Sequence, residues 1–143
     1  MTDADLKAMT VAQLVENFAD LSAKQNKALL EYEVSEFSRL FPQIDAIPQE
    51  SDGLSEFTRL YWQIDAIEKE LKGRPGDQRR ALLALFKHPD PQVRLNAAKA
   101  TLAVAPGEAR AMLEHIAKRH RGPQAGDAGM CLWNLDRGVF VPK

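Results

Sequence analysis

What the chain lacks sets the first limits. Its 143 residues include one cysteine, Cys131, so no internal disulfide framework can form, which fits a reducing cytoplasm. No unbroken apolar run approaches the roughly 18 residues of a membrane-spanning helix, so no membrane contact is expected. Met1-Thr2-Asp3-Ala4-Asp5 is acidic and has no apolar run, so no signal peptide is read. There is no glycine-rich phosphate loop with a following lysine, no Cys-x-x-Cys pair and no His-x-x-x-His. No cofactor, no metal and no enzymatic activity are therefore expected. His115 and His120 stand five positions apart, about 140° round a helix, and point apart. Cys131 lies among Met130, Leu132 and Trp133 and reads as a buried thiol rather than a nucleophile or ligand.

Charge is scarce in total but unevenly spread. The net charge is −1, yet residues 1–72 hold 7 Lys+Arg against 14 Asp+Glu, and residues 73–143 hold 12 against 6. Acidic helices facing basic ones would explain this, as would plain surface solubility. A basic face for an acidic partner is the alternative. Hydrophobic content is 45% and charged content 27%, ordinary for one globular domain spanning residues 1–143.

The most informative stretch runs from Ala81 to Ala105. Leu82, Leu83, Leu85 and Phe86 make the apolar stripe of one helix, and Val93, Ala97, Ala100 and Val104 that of the next. Asp90 caps the second helix, and Pro91 takes its first position, where a missing N–H costs nothing. The pattern Asp90-Pro91-x-Val93-Arg94-x-x-Ala97-Ala98 after a leucine-rich helix resembles a HEAT repeat, the antiparallel helix pair of α-solenoids. The run from Thr10 to Pro142, with Gln124-Ala125-Gly126-Asp127-Ala128-Gly129-Met130-Cys131-Leu132 near its end, is similar to the uncharacterised family "domain of unknown function two-thousand-nineteen". That resemblance implies an all-α fold of six or seven helices in a short HEAT-like, right-handed α-α superhelix, with no established activity. It also implies that Asp90 and Arg94 cap helices and tie repeats together rather than form a site.

A second pattern is internal. Residues 35–50 and 55–70 are identical at 11 of 16 positions, with a constant offset of 20. This reads as a tandem copy of one helix, where the resembling family carries a single copy. Phe57, Leu60, Ile64, Ile67 and Leu71 form a regular stripe, and Phe37, Leu40, Ile44 and Ile47 repeat it. Pro42 in the first segment replaces Trp62 in the second, and a helix-interior proline costs about 3 kcal/mol. The second segment is therefore expected in the regular helix position. The first is expected to be kinked or displaced, leaving Phe37, Leu40, Phe41, Ile44 and Ile47 as a self-association surface and the chain a homodimer.

The remaining elements follow from local signals. Thr2 to Met9 reads as a frayed lead-in. Thr10-Val11-Ala12-Gln13 has capping-box form, and the helix it starts should end between Lys27 and Tyr32. Asp77 is a candidate cap after Gly73-Arg74-Pro75-Gly76. Ala109, Met112, Leu113 and Ile116 mark one further helix, Ala125, Ala128, Leu132 and Leu135 another. Gly138 to Lys143 is a short apolar tail expected to fold back onto the last helix. The function these features favour is a non-enzymatic, cytoplasmic protein-interaction module. Tyr61, Trp62, Arg79, Arg80 and Lys99 are its candidate partner-binding residues, although a half-buried packing role is the favoured reading for Tyr61 and Trp62. Nucleic-acid binding through the basic C-terminal half is the alternative.

Overall fold

The computed structural model describes residues 2–40, 53–119 and 122–143. Over these the chain forms six α-helices, one 3-10 helix and no strand. They are α1 (Asp3–Ala8), α2 (Val11–Leu40), α3 (Gly53–Gly73), the 3-10 helix Gln78–Lys87, α4 (Pro91–Thr101), α5 (Pro106–Arg119) and α6 (Pro123–Asp136). The all-α class expected from the sequence is the one observed.

Two threonines start the first two helices in the same way. The Thr2 hydroxyl accepts from the Asp5 N–H at 3.2 Å, and the Asp5 carboxylate accepts from the Thr2 N–H at 2.9 Å. Thr10 and Gln13 repeat the exchange at 3.1 and 2.9 Å. Each pair satisfies two otherwise orphan donors. Residues 3–8 are thus helix, not the frayed lead-in expected. The Arg74 guanidinium also donates to the carbonyls of Leu6 and Met9 at 3.0 and 2.7 Å, and Leu6 is buried. That clamp comes from more than sixty residues away, so local sequence did not announce it.

Helix α2 also departs from expectation. It runs through Tyr32 to Leu40, 30 residues and about 45 Å, because no glycine or proline interrupts it before Pro42. Phe37 and Leu40 therefore belong to α2. Phe41, Pro42, Ile44 and Ile47 lie outside the described residues. In α3 the stripe is placed as its spacing predicts: Leu60, Ile64, Ile67 and Leu71 are buried and Phe57 is half-buried.

The segment read as the first helix of the repeat is a 3-10 helix. Its start is fixed by Asp77, at φ +49, whose carboxylate accepts from the Arg79 N–H. In such a helix residues three apart eclipse one another, so Arg79, Leu82 and Leu85 form one buried row.

The core has two parts that meet at α4. Leu14 and Phe18 of α2, Ile67 and Leu71 of α3, and Leu82 pack against Val93, Ala97 and Ala100 on one side of α4. Leu113 and Ile116 of α5 and Ala128 of α6 pack against Leu95, Ala98 and Leu102 on the other. Alanine on both sides lets neighbouring backbones approach closely. The Asp90 carboxylate accepts from the Gln92 N–H at 2.8 Å, capping α4 as predicted. Asp90→Ala is expected to cost about 1 kcal/mol in urea denaturation. An unchanged midpoint would mean that the cap contributes nothing.

Candidate functional site

Between Leu21 and Ala28 the buried face of α2 is polar. Leu14 and Phe18 are followed at helical spacing by Ser22 and Gln25, both fully or almost fully buried. Burial of amides and hydroxyls is costly unless they are paired, and here they are. Gln92 of α4 donates to Gln25 Oε1 at 3.2 Å and to Asn96 Oδ1 at 3.0 Å. Asn96 donates to Ser22 Oγ and to Gln25 Oε1, each at 2.9 Å. Gln124 at the start of α6 donates to Gln92 Oε1 and Asn26 Oδ1, each at 3.0 Å. The result is a row of side-chain amides that joins α2, α4 and α6.

Beside this row lies a groove of about 220 Å³. Phe18 and Ile64 make its apolar floor. Tyr61, Asp65 and Glu68 on α3 form one wall, and Asn96 and Lys99 on α4, with Gln25, the other. Phe140 stands at its mouth. The tail that carries Phe140 leaves α6 through a Schellman turn: Gly138 adopts φ +69, the Val139 N–H reaches the Asn134 carbonyl, and the Gly138 N–H reaches that of Leu135.

Residues 49–136, which take in α3 to α6, match the family described as Domain of unknown function (DUF2019). The chain belongs to that family. The DUF2019 match begins at residue 49, so it includes the second of the two similar segments and leaves out residues 35–48. The chain is also similar to a solved structure, the protein RPA1889 from Rhodopseudomonas palustris CGA009. That protein is 46% identical, with 96% of this chain and 98% of that chain covered and a TM-score of 0.80. No curated protein matches the chain.

The five candidate partner-binding residues of this DUF2019 chain do not share one environment. Tyr61 and Trp62 are exposed on α3 and meet edge to face, with ring centroids 5.1 Å apart. A packing role for Trp62 is thus overturned; the core stripe leaves it no inward position. Lys99 lies across the groove from Tyr61 and is paired with Asp127 at 3.1 Å. Arg80 is exposed and does not line the groove. Arg79 is not part of an exposed basic face as expected: it is only 5% exposed, because the row of the 3-10 helix turns it inward. Its guanidinium donates to the Asp77 carboxylate at 2.9 and 2.7 Å and to the Lys143 carbonyl at 3.0 Å. The Asp77–Arg79 hydrogen bonds pull the Asp77 carboxyl below its usual range and make the guanidinium still harder to deprotonate. Arg94, expected to tie repeats together, has a buried Nε without a hydrogen-bond partner among the described residues.

The amide row was the feature hidden from sequence reasoning. Its signal was the spacing Leu14, Phe18, Ser22, Gln25, which continues one helix face through polar residues. Among the described residues no three His, Cys, Asp or Glu side chains converge as metal ligands would. Burial pushes the Cys131 thiol up, which leaves it a poor nucleophile. Among the described residues no helix is long and apolar enough to cross a membrane.

The groove wall carries a titratable group under strain. Burial, then the nearby Asp65 carboxylate, pushes the Glu68 carboxyl above its ordinary value, against the pull of Arg79. A carboxyl raised on folding favours the folded state while protonated, and that favour is lost as pH rises through the folded value. Glu68→Gln is therefore expected to raise the melting temperature at pH 7 and to leave it unchanged near pH 4. A gain of equal size at both pH values would remove ionisation as its cause.

Proposed function

We propose that the chain is a non-enzymatic protein-interaction module on a HEAT-like helical-repeat scaffold, and that the groove between α3 and α4 is its contact surface. The observation that carries this reading is the meeting of Tyr61 and Lys99 across one groove with an apolar floor. An exposed aromatic over an apolar floor, rimmed by polar groups, is the composition of a protein-binding hot spot. The scaffold reading is supported by the 3-10 helix and α4, and by α5 and α6, each a pair of neighbours packed together and joined by a short corner. Some of the charge counted for nucleic acid is engaged within the chain: Arg79 with Asp77, Lys99 with Asp127, and Arg110 with Glu114 and Asp136.

The test is to capture a partner on the immobilised chain, purify it, and titrate it against the unaltered chain and a Tyr61→Ala/Lys99→Ala variant. At least about a tenfold loss of affinity is expected, since hot-spot truncation costs 2 kcal/mol or more. Tight binding of duplex DNA or single-stranded RNA that weakens steeply with salt would overturn the reading.

Self-association through Phe37, Leu40, Phe41, Ile44 and Ile47 belongs to the same proposal and rests on the repeated stripe in the sequence. Light scattering over a range of concentrations should give a dimer that Phe37→Asp with Ile44→Asp dissociates. A monomer at every concentration would end this part of the proposal.

A further inference from the structure

The chain's own tail indicates what the groove takes. Residues 139–143 pair with no strand and continue no helix. Phe140 faces the groove, and Pro142 faces a second hollow lined by Leu102, Pro106 and Leu135. Val139 and Val141, between and before them, are each 65% exposed. In and out thus alternate with the period of an extended chain. Beyond Pro142 the Lys143 carbonyl accepts from the buried Arg79 guanidinium at 3.0 Å. A peptide is therefore already seated on this face, with two inward residues and one carbonyl received by a charged donor.

The seating is incomplete. Phe140 remains 43% exposed, and about 220 Å³ of the groove beside it is open to solvent. A larger apolar side chain there would remove more of the groove's apolar surface from water. The walls suit a ring with a polar edge: Tyr61 contributes an aromatic ring, and Asp65 and Glu68 contribute acceptors.

We propose that the groove is the docking site for an extended protein segment that presents a large aromatic residue, tryptophan fitting better than phenylalanine, followed two residues on by a small apolar one. Arg79 receives the segment's main-chain carbonyl. Phe140 holds the same place in cis and must leave when the partner binds. This rests on the interaction-module reading and names the chemistry of its partner.

The competition is directly measurable. A tethered segment acts at an effective concentration in the millimolar range, so freeing its place should strengthen binding in trans. The probes are labelled peptides Gly-Val-Phe-Val-Pro-Lys, the same with Trp for Phe, and the same with Ala for Phe. They are titrated by fluorescence anisotropy against the full chain and against its Phe140→Ala/Pro142→Gly and Phe140→Ser/Pro142→Gly variants, which release both inward positions of the tail. Circular dichroism of each variant checks that it is folded, as the exposure of Phe140 leads one to expect. At least about tenfold tighter binding of the Phe peptide to either variant than to the unaltered chain is expected, with the Trp peptide tighter again and the Ala peptide unbound. Equal binding to the unaltered chain and both variants overturns the proposal, as does an Ala peptide that binds like the Phe peptide, or no binding by any peptide. If the peptides fail while Tyr61→Ala/Lys99→Ala still weakens a captured partner, this inference falls and the interaction-module reading stands.

Discussion

Phe18→Ala should lower the free energy of unfolding by about 3–5 kcal/mol, the usual cost of emptying a fully buried phenylalanine site. Phe18 is 1% exposed and sits where α2 meets α3 and α4. Its partners Leu14, Ile64, Ile67 and Val93 come from three helices, so no single side chain can swing in to fill the space. A protein of this size is stable by roughly 5–15 kcal/mol, and the loss would be a large share of that. Urea denaturation followed by circular dichroism measures it. A cost below about 1 kcal/mol would mean that the core relaxes around the site, and that the groove floor is softer than its burial suggests.

The amide row should respond more to charge than to size. Gln92→Glu keeps the shape of the side chain and the acceptor that Gln124 uses. It removes the donors to Gln25 and Asn96 and sets a carboxylate oxygen against their carbonyl oxygens. Leaving buried polar groups unsatisfied costs about 1–3 kcal/mol, and more where one is charged. The expected loss is therefore about 3 kcal/mol or more at pH 7. It should shrink as pH falls, because burial raises the pKa of the new carboxyl and protonation restores a donor. Gln92→Leu, which introduces no charge, should cost less at pH 7. A loss for Gln92→Glu that is the same at pH 4 and pH 7 would show that the carboxylate escapes to water and that the row is not closed.

These two sites mark the boundary of what the sequence made legible. The stripe Leu60, Ile64, Ile67, Leu71 could be read because apolar residues at helical spacing have one outcome, burial against a neighbour. Trp62 could be singled out because that stripe already filled the inward positions. Asp90 and Pro91 could be placed because caps are decided within three residues. Ser22 and Gln25 could not be placed in the same way: a polar residue on a buried face is tolerable only if a partner arrives, and theirs come from Gln92 and Asn96, about seventy positions away. Arg79 failed for a related reason. Counting charge put it on a basic surface, but sign says nothing about burial, and the row of the 3-10 helix turned it inward toward Asp77 and the tail. The clamp of Arg74 on α1 is a third long-range contact of this kind.

The placement of the two tryptophans has an optical consequence. Trp62 on α3 and Trp133 on α6 are 62% and 56% exposed, and the chain has no others. Indole emission depends on the polarity around the ring, and here both rings meet solvent in the folded state as they would in the unfolded one. Their emission wavelength therefore changes little on unfolding, although it can register what lands beside them. Trp133 already stacks beneath the Arg137 guanidinium at 4.8 Å, while Trp62 touches Tyr61 next to the groove. Emission that shifts to the blue in the native chain, with no change in circular dichroism, would report a ligand covering α3 or α6. The protein thus carries an intrinsic dye on its surface, set to detect association rather than folding.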